Sequence, residues 1–383
     1  MLQAQFLLQF NCLGDACEDT CCKGWGMQVD AGMVEKYRRE APELLEAVTS
    51  GEAEHIMKRD PQTDYCVKFE GGWCGIHKTR GTAFLGDACH FFPRITRQLG
   101  AMPLQTASLS CPEVARLTLL QPAAFTLQEI PDERLPYSLR NYLPEGMTEA
   151  SALAIHQAFL EKAGDTTESA ESILCILHSA AQSLEIIPQS QWPEAVPVYL
   201  KMAQSRVPQP ETHPADPFNL FFALLGLIGA AKPAGRPRLD AITTSIQKAL
   251  KIQPPSEAGG SVALGEENLA AWQQMQARWQ EQSAHWQPPL KRWIQAQLSA
   301  ALFPFAGFGG SLSERMVIIA VRFATLKLAL MAEENLTETD FIRITQSLAR
   351  FMDHLADPTL SLQIYTETGW TKPARLRALL GDN

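Results

Sequence analysis

The chain has 383 residues, 46% of them apolar and 20% charged, with a formal net charge of −9 at pH 7. A single hydrophobic core usually stops growing at about 250 to 300 residues, so two or three domains are expected, and the composition is that of an ordinary globular protein rather than a disordered one. The acidic balance offers no basic field for phosphate and argues against duplex nucleic acid or an anionic bilayer as the main partner.

The opening MLQAQFLLQFNC has no lysine or arginine before its apolar residues and no small-residue cleavage site, so it does not read as a secretory signal and a cytoplasmic protein is expected. Leu2, Ala4, Phe6, Leu8 and Phe10 alternate as a half-buried strand requires. Met27 to Asp30 read as extended, and Asp30 is placed to cap a helix carrying Val34, Tyr37 and Leu44 or Leu45. Tyr65 to Phe69 and Trp73 to Ile76 flank Glu70-Gly71-Gly72, where two glycines can take the positive φ of a tight hairpin turn. Ser110-Cys111-Pro112-Glu113 opens another helix, with Ser110 as cap and proline in the first turn. Residues 1–117 therefore read as a small, mixed, loop-rich module.

From about residue 118 the pattern becomes helices separated by proline and glycine, and 118–383 read as an all-helical domain, so the whole is mainly α. The helices are expected at roughly 148–163, 168–187, 192–205, 216–231, 238–252, 263–285, 289–302, 312–332, 337–355 and 372–380. Gln253 to Ser261 is the best internal linker, and the helical domain either subdivides near 253–261 or continues there as two helices of one bundle. Trp272, Trp279, Trp286 and Trp293 recur at intervals of seven, a core-packing stripe that Pro288-Pro289 is expected to interrupt. Met316 to Ala332 is the most apolar stretch. It falls short of the ~20 residues of a membrane span and contains Arg322 and Lys327, so it reads as a core helix and no membrane partner is expected.

Eight of the nine cysteines precede residue 112: Cys12, Cys17, Cys21, Cys22, Cys66, Cys74, Cys89 and Cys111. The ninth, Cys175, lies in an apolar helical face and reads as a buried thiol. In a reducing cytoplasm thiols do not persist as structural disulfides, so this density points to metal. Thiolate sulfur suits both tetrahedral zinc and iron–sulfur clusters. The absence of paired C-x2-C knuckles and the irregular gaps lean towards a cluster, with zinc as the alternative. Adjacent side chains diverge, so Cys21 and Cys22 are not expected to reach one metal atom together, and the eight thiols suit either one centre with four structural cysteines or two centres.

These residues carry a resemblance. The run from Phe10 to Trp25, FNCLGDACEDTCCKGW, is similar to the opening motif of the flagellin lysine-N-methylase family. So are Cys74-Gly75-Ile76 with Gly81, Leu85, Cys89 and Phe92-Pro93-Arg94, then Leu109-Ser110-Cys111-Pro112-Glu113-Val114-Ala115-Arg116, and more diffusely Leu302-Phe303-Pro304-Phe305 before a long apolar helix. A smaller family of zinc- or iron-chelating modules, with a C-x2-C-x2-C-C start, resembles the cysteine part alone. The first resemblance implies a [4Fe-4S] protein-lysine N-methyltransferase that carries methyl groups from S-adenosylmethionine to flagellin; the rival reading is a non-catalytic chelating or redox module fused to a helical interaction scaffold. No strand leads into a G-x-G-x-x-G turn, and Gly24 stands where a C-x3-C-x2-C motif would need its third cysteine. Gly307-Phe308-Gly309-Gly310 is a weak glycine loop before a helix.

Among the other polar residues, Arg94 is the candidate for cofactor binding, able to balance thiolate charge or hold a carboxylate bidentately. His77 and His90 are spaced to reach a metal beside Cys74 and Cys89, against the ordinary role of a solvated or hydrogen-bonded histidine. Asp15, Glu18 and Asp19 are expected to cap turns or face solvent, with one of them able to take a proton from a substrate ammonium.

Overall fold

The computed structural model describes residues 1–49, 55–131, 134–231, 237–253, 264–307, 310–353, 355 and 358–382. Strand β1 (Leu2–Ala4) is shorter than its alternation predicts, because the chain turns at once into a 3-10 helix at Gln5–Gln9. The amides of Gln5 and Phe6 donate to Thr126 and Ala124 at 2.8 and 3.3 Å, so both Phe6 and Leu7 face the core. β1 lies inside a four-stranded sheet with β4 (Arg94–Leu99), β5 (Met102–Ala107) and β6 (Leu127–Glu129), in the order β4-β5-β1-β6. It runs parallel to β5 and antiparallel to β6, so one strand from beyond residue 118 joins the module's sheet. Sequence periodicity does not reveal β4 and β5. Their inner positions include Gln105 and Thr106, and buried Gln105 accepts from Gln3 at 2.7 Å, which removes the apolar alternation.

The second part of the module has its own small core of Met27, Val29, Val34, Tyr37, Ile76 and Leu85, among others. Asp30 caps α1 (Ala31–Glu40) by accepting from the Met33 amide at 2.8 Å. α1 stops before Leu44 and Leu45, which fall in a 3-10 helix opened by Pro42. The expected hairpin is β2 (Phe69–Glu70) with β3 (Trp73–Cys74), turned by Gly71 and Gly72 at φ 57° and 86°. Two short helices follow, α2 (Gly75–Arg80) and α3 (Asp87–Phe91). In α4 (Pro112–Leu120) the N-cap is Cys111 and not Ser110, whose hydroxyl is engaged with Ser108 at 2.8 Å.

The helical body comprises α5 (Glu149–Ala163), α6 (Ala170–Glu185), α7 (Trp192–Ala203), α8 (Asp216–Ala230), α9 (Pro237–Ala249), α10 (Glu266–Ala300), α11 (Leu312–Met331), α12 (Glu338–Met352), α13 (Pro358–Glu367) and α14 (Pro373–Leu380). α10 runs unbroken through Pro288 and Pro289, where the sequence predicts two helices. Packing outweighs the two missing amides: Trp279, Trp286 and Trp293 are buried along α10, Trp286 stacks on Phe341 at 5.2 Å and Trp293 meets Phe323 edge-on at 5.7 Å. α13 is an element the sequence reading lacks, and most of the expected linker at 253–261 lies outside the described residues. α11 is the expected core helix: Arg322 donates to the Met352 carbonyl at 2.7 Å, and Lys327 meets Glu171 at 2.6 Å. Among the described residues no helix is long and apolar enough to cross a membrane.

Candidate metal centre and adjoining cavities

Four cysteines from four segments meet at the small core. Cys22 lies in the turn before Gly24, and its carbonyl accepts from the Cys66 amide at 2.8 Å. Cys74 ends β3 and leads into α2, while Cys89 lies in α3. Every pair among Cys22, Cys66, Cys74 and Cys89 is close enough for the charge of one sulfur to act on the other. Burial is the larger influence: it pushes the Cys66 thiol up to about 11, raises Cys74, and raises Cys89 further. Cys21 donates a hydrogen bond to Cys22, which holds Cys21 protonated and lowers Cys22.

Cys12, Cys17 and Cys111 form a looser neighbourhood at the rim, in which burial first and then the two other sulfurs push Cys111 up to about 12. Cys21 adjoins both groups, with Cys89 on one side and Cys12 on the other. Cys175 stands apart, buried in α6.

Four mutually adjacent thiols in apolar surroundings are the donor set that a tetrathiolate metal or an iron–sulfur cluster takes. Among the described residues no group of three or more His, Cys, Asp or Glu side chains is arranged to hold an ion. A cation there would supply the positive charge these buried thiols need in order to ionise. The neighbouring histidines have other contacts. His90 donates through Nδ1 to the Thr82 carbonyl at 3.3 Å, and the His77 ring meets Trp73 edge-on at 6.3 Å.

The loop carrying Cys17 and Cys21 is fastened by its acids, which do not simply face solvent. Glu18 pairs with Arg116 at 2.9 Å, and Asp19 with Arg350 at 2.6 Å. A cleft of about 340 Å³ opens beside this loop, lined by Asp15, Cys17, Cys21, Trp25, Tyr65 and Phe69 among others. Its lining carries both signs, Asp15, Glu18 and Asp19 with Lys23, Arg238 and Arg350, and the Lys23 ammonium stands 4.8 Å from the centre of the Tyr65 ring.

A Lysine-N-methylase of Salmonella typhimurium (strain LT2) is 28% identical to this chain over 137 residues, 32% of the chain and 33% of that protein. The Lysine-N-methylase of Salmonella choleraesuis (strain SC-B67) matches to the same extent, and the Flagellar biosynthetic protein FliU of Salmonella muenchen is 29% identical over 139 residues, 79% of its length. Over about a third of its length the chain is similar to lysine-N-methylases. The match spans about a third of the length of the two lysine-N-methylases. No family model and no solved structure matches the chain.

Beside the part of the fold with the cysteines, the chain has a second, larger cavity of about 1090 Å³. Trp25 and Phe92, whose rings lie 5.4 Å apart, line both cavities. Arg94, at the start of β4, faces the larger one with its guanidinium 5.2 Å from the Phe10 ring. It is joined there by Arg97, Arg140, Arg315 and Arg322, which the sequence reading does not group. Their segments are brought together only by folding, and the one local signal is the spacing of Arg315, Ile318, Ile319 and Arg322 along one face of α11. Of the glycine loop at 307–310, Gly307 lines this cavity, while 308 and 309 lie outside the described residues.

Proposed function

We propose that the chain is a cytoplasmic protein-lysine N-methyltransferase that takes methyl groups from S-adenosylmethionine, depends on a [4Fe-4S] cluster held by cysteines, and acts on flagellin. The observation that carries this reading is the similarity to the lysine-N-methylases. The cleft beside Cys17 and Cys21 supports it through the Asp15 carboxylate and the rings of Trp25, Tyr65 and Phe69, because a lysine ammonium is attracted by carboxylates and by ring faces, as Lys23 over Tyr65 already is. Cys22, Cys66, Cys74 and Cys89 are the residues that would hold the cluster, which when bound supplies a redox-active centre and cross-links four chain segments.

Methyl transfer requires the lysine nitrogen to lose its proton before its lone pair attacks the methyl carbon, the carbon–sulfur bond then breaking with its electrons left on sulfur. Glu18 and Asp19 are committed to Arg116 and Arg350, whereas Asp15 makes no ion pair among the described residues. Asp15 is therefore the cleft carboxylate free to receive that proton. The aromatic walls orient the chain of the substrate lysine and exclude water around its nitrogen.

The test is to incubate protein purified without oxygen with labelled S-adenosylmethionine and flagellin from the same cell. Label on flagellin lysines is expected. No label on any protein of the host lysate, with no binding of the methyl donor, would leave the non-catalytic chelating scaffold in its place.

A further inference from the structure

The larger cavity has a charge pattern opposite to that of the protein as a whole. Its lining acids are all engaged. Asp30 accepts from the amides of Met33 and Asp87 at 2.8 and 3.0 Å, and Asp87 pairs with Arg134 at 2.6 Å. Asp353 accepts from Ser108 at 3.0 Å and pairs with Arg322 at 3.4 Å. Arg94, Arg97, Arg140 and Arg315 make no ion pair among the described residues.

What these four do touch is neutral. Arg97 donates to the Tyr142 hydroxyl at 3.0 Å and to the Ala300 carbonyl at 3.3 Å. Arg315 donates to the Pro304 carbonyl at 2.9 Å, and its Nε is buried without a partner. The guanidinium carbons of Arg97 and Arg140 lie 5.5 and 5.2 Å from the centre of one ring, Tyr142. Those two cations are thus no more than about 11 Å apart, close to one Debye length at 0.1 M salt, so their repulsion is only partly screened. In a chain of net charge −9, four arginines without an ion pair on one cavity are the arrangement an anion relieves. Trp25, Phe92 and Tyr142 add aromatic surface to the lining of the same cavity.

We propose that this cavity binds a small molecule joining a planar aromatic ring to a carboxylate or phosphate, with the anion held by Arg94, Arg97, Arg140 and Arg315 and the ring against the aromatic wall. Arginine's fork matches either anion bidentately. The volume of about 1090 Å³ is at the upper end of the range for small-molecule sites, which fits a ligand of nucleotide size. The inference stands on this cavity alone and does not require that the chain methylate anything.

Calorimetric titration of the full chain, prepared without oxygen, with S-adenosylhomocysteine, ADP and neutral adenosine tests it. At least one of the two probes that carry a carboxylate or a phosphate is expected to bind at least tenfold more tightly than adenosine, and Arg94→Gln and Arg140→Gln each to weaken that binding about tenfold. Arg140 is exposed, so its replacement leaves the fold intact, and thermal unfolding of both variants checks this. Selective binding of S-adenosylhomocysteine assigns the site to a carboxylate ligand, and selective binding of ADP to a phosphate ligand. The proposal is overturned by failure of both S-adenosylhomocysteine and ADP to bind, by adenosine binding equally well, or by variants that bind as the wild type does. Loss of methylation with binding retained would remove the methyltransferase reading and leave this one standing.

Discussion

Arg350, near the end of α12, pairs with Asp19 at 2.6 Å although 331 residues separate them in the chain. The same guanidinium donates to the Lys23 carbonyl, and Gln346 donates to Asp19 at 2.8 Å. The cysteine loop is thus held in place by a helix from the last eighth of the sequence. Both ionic partners are about four-fifths shielded, so their hydrogen bonds act in a medium poorer in water than the surface.

Arg350→Ala is therefore expected to destabilise the protein by about 1 to 3 kcal/mol, the usual range for losing charge-assisted hydrogen bonds. It should also lower metal content, because the segment carrying Cys17, Cys21 and Cys22 loses its anchor. Urea unfolding and iron analysis of the variant check both. Stability and iron equal to wild type would show that the pair does not position the loop.

Serine in place of Cys22, Cys66, Cys74 or Cys89 should abolish the metal centre, since a hydroxyl is a poor substitute for a thiolate and each of the four supplies one of the gathered sulfurs. Cys175→Ser should leave it unchanged, because that thiol is buried in α6 away from the others. Protein prepared without oxygen should carry iron and acid-labile sulfide in about equal amounts. Stoichiometric zinc without iron would replace the cluster by a zinc site, and loss of metal in Cys175→Ser with retention in Cys89→Ser would reverse the assignment of the thiols.

His156 is buried in α5, where its Nδ1 donates to the Phe303 carbonyl at 2.8 Å, and burial pulls its pKa down to about 4. Between the ordinary value of about 6.5 and this lower one the unfolded chain binds a proton that the folded chain does not. The stability contribution is full above about pH 6.5 and is lost as the pH falls towards 4, by up to about 1.4 kcal/mol per pH unit. His178, also buried and held near 4, acts in the same direction. Urea midpoints measured from pH 7 to 4.5 should show this decline, with a shallower slope in His156→Gln. An unchanged slope in that variant would exclude His156 as a cause.

Lys327 and Glu171 form a largely buried pair at 2.6 Å, and Lys327 also donates to the Leu380 carbonyl at 2.8 Å. Removing one partner leaves a charge with poor access to water. Glu171→Ala is expected to cost about 3 to 5 kcal/mol, whereas Glu171→Leu with Lys327→Met should recover most of that loss. A single substitution that costs no more than the double one would show the lysine finding another partner or solvent.

The sequence by itself determined the features whose cause is local. The Asp30 cap, the Gly71-Gly72 turn and most helix limits follow from side chains acting within one turn of chain, and the crowding of eight thiols before residue 112 is a matter of composition. Tertiary structure decided what depends on distant partners. Helical order survives Pro288-Pro289 because the tryptophans of α10 bury against Phe323 and Phe341, a gain that propensity cannot register. The β4–β5 hairpin escapes periodicity because Gln105 is buried on a partner from β1. Cys21 and Cys22 are equivalent in the sequence, and folding distinguishes them by bringing Cys66 and Cys74 to Cys22 and Cys12 to Cys21. The arginines of the larger cavity become one site only when β4, the segment around residue 140 and α11 converge, since charge acts through space and leaves no mark on spacing along the chain.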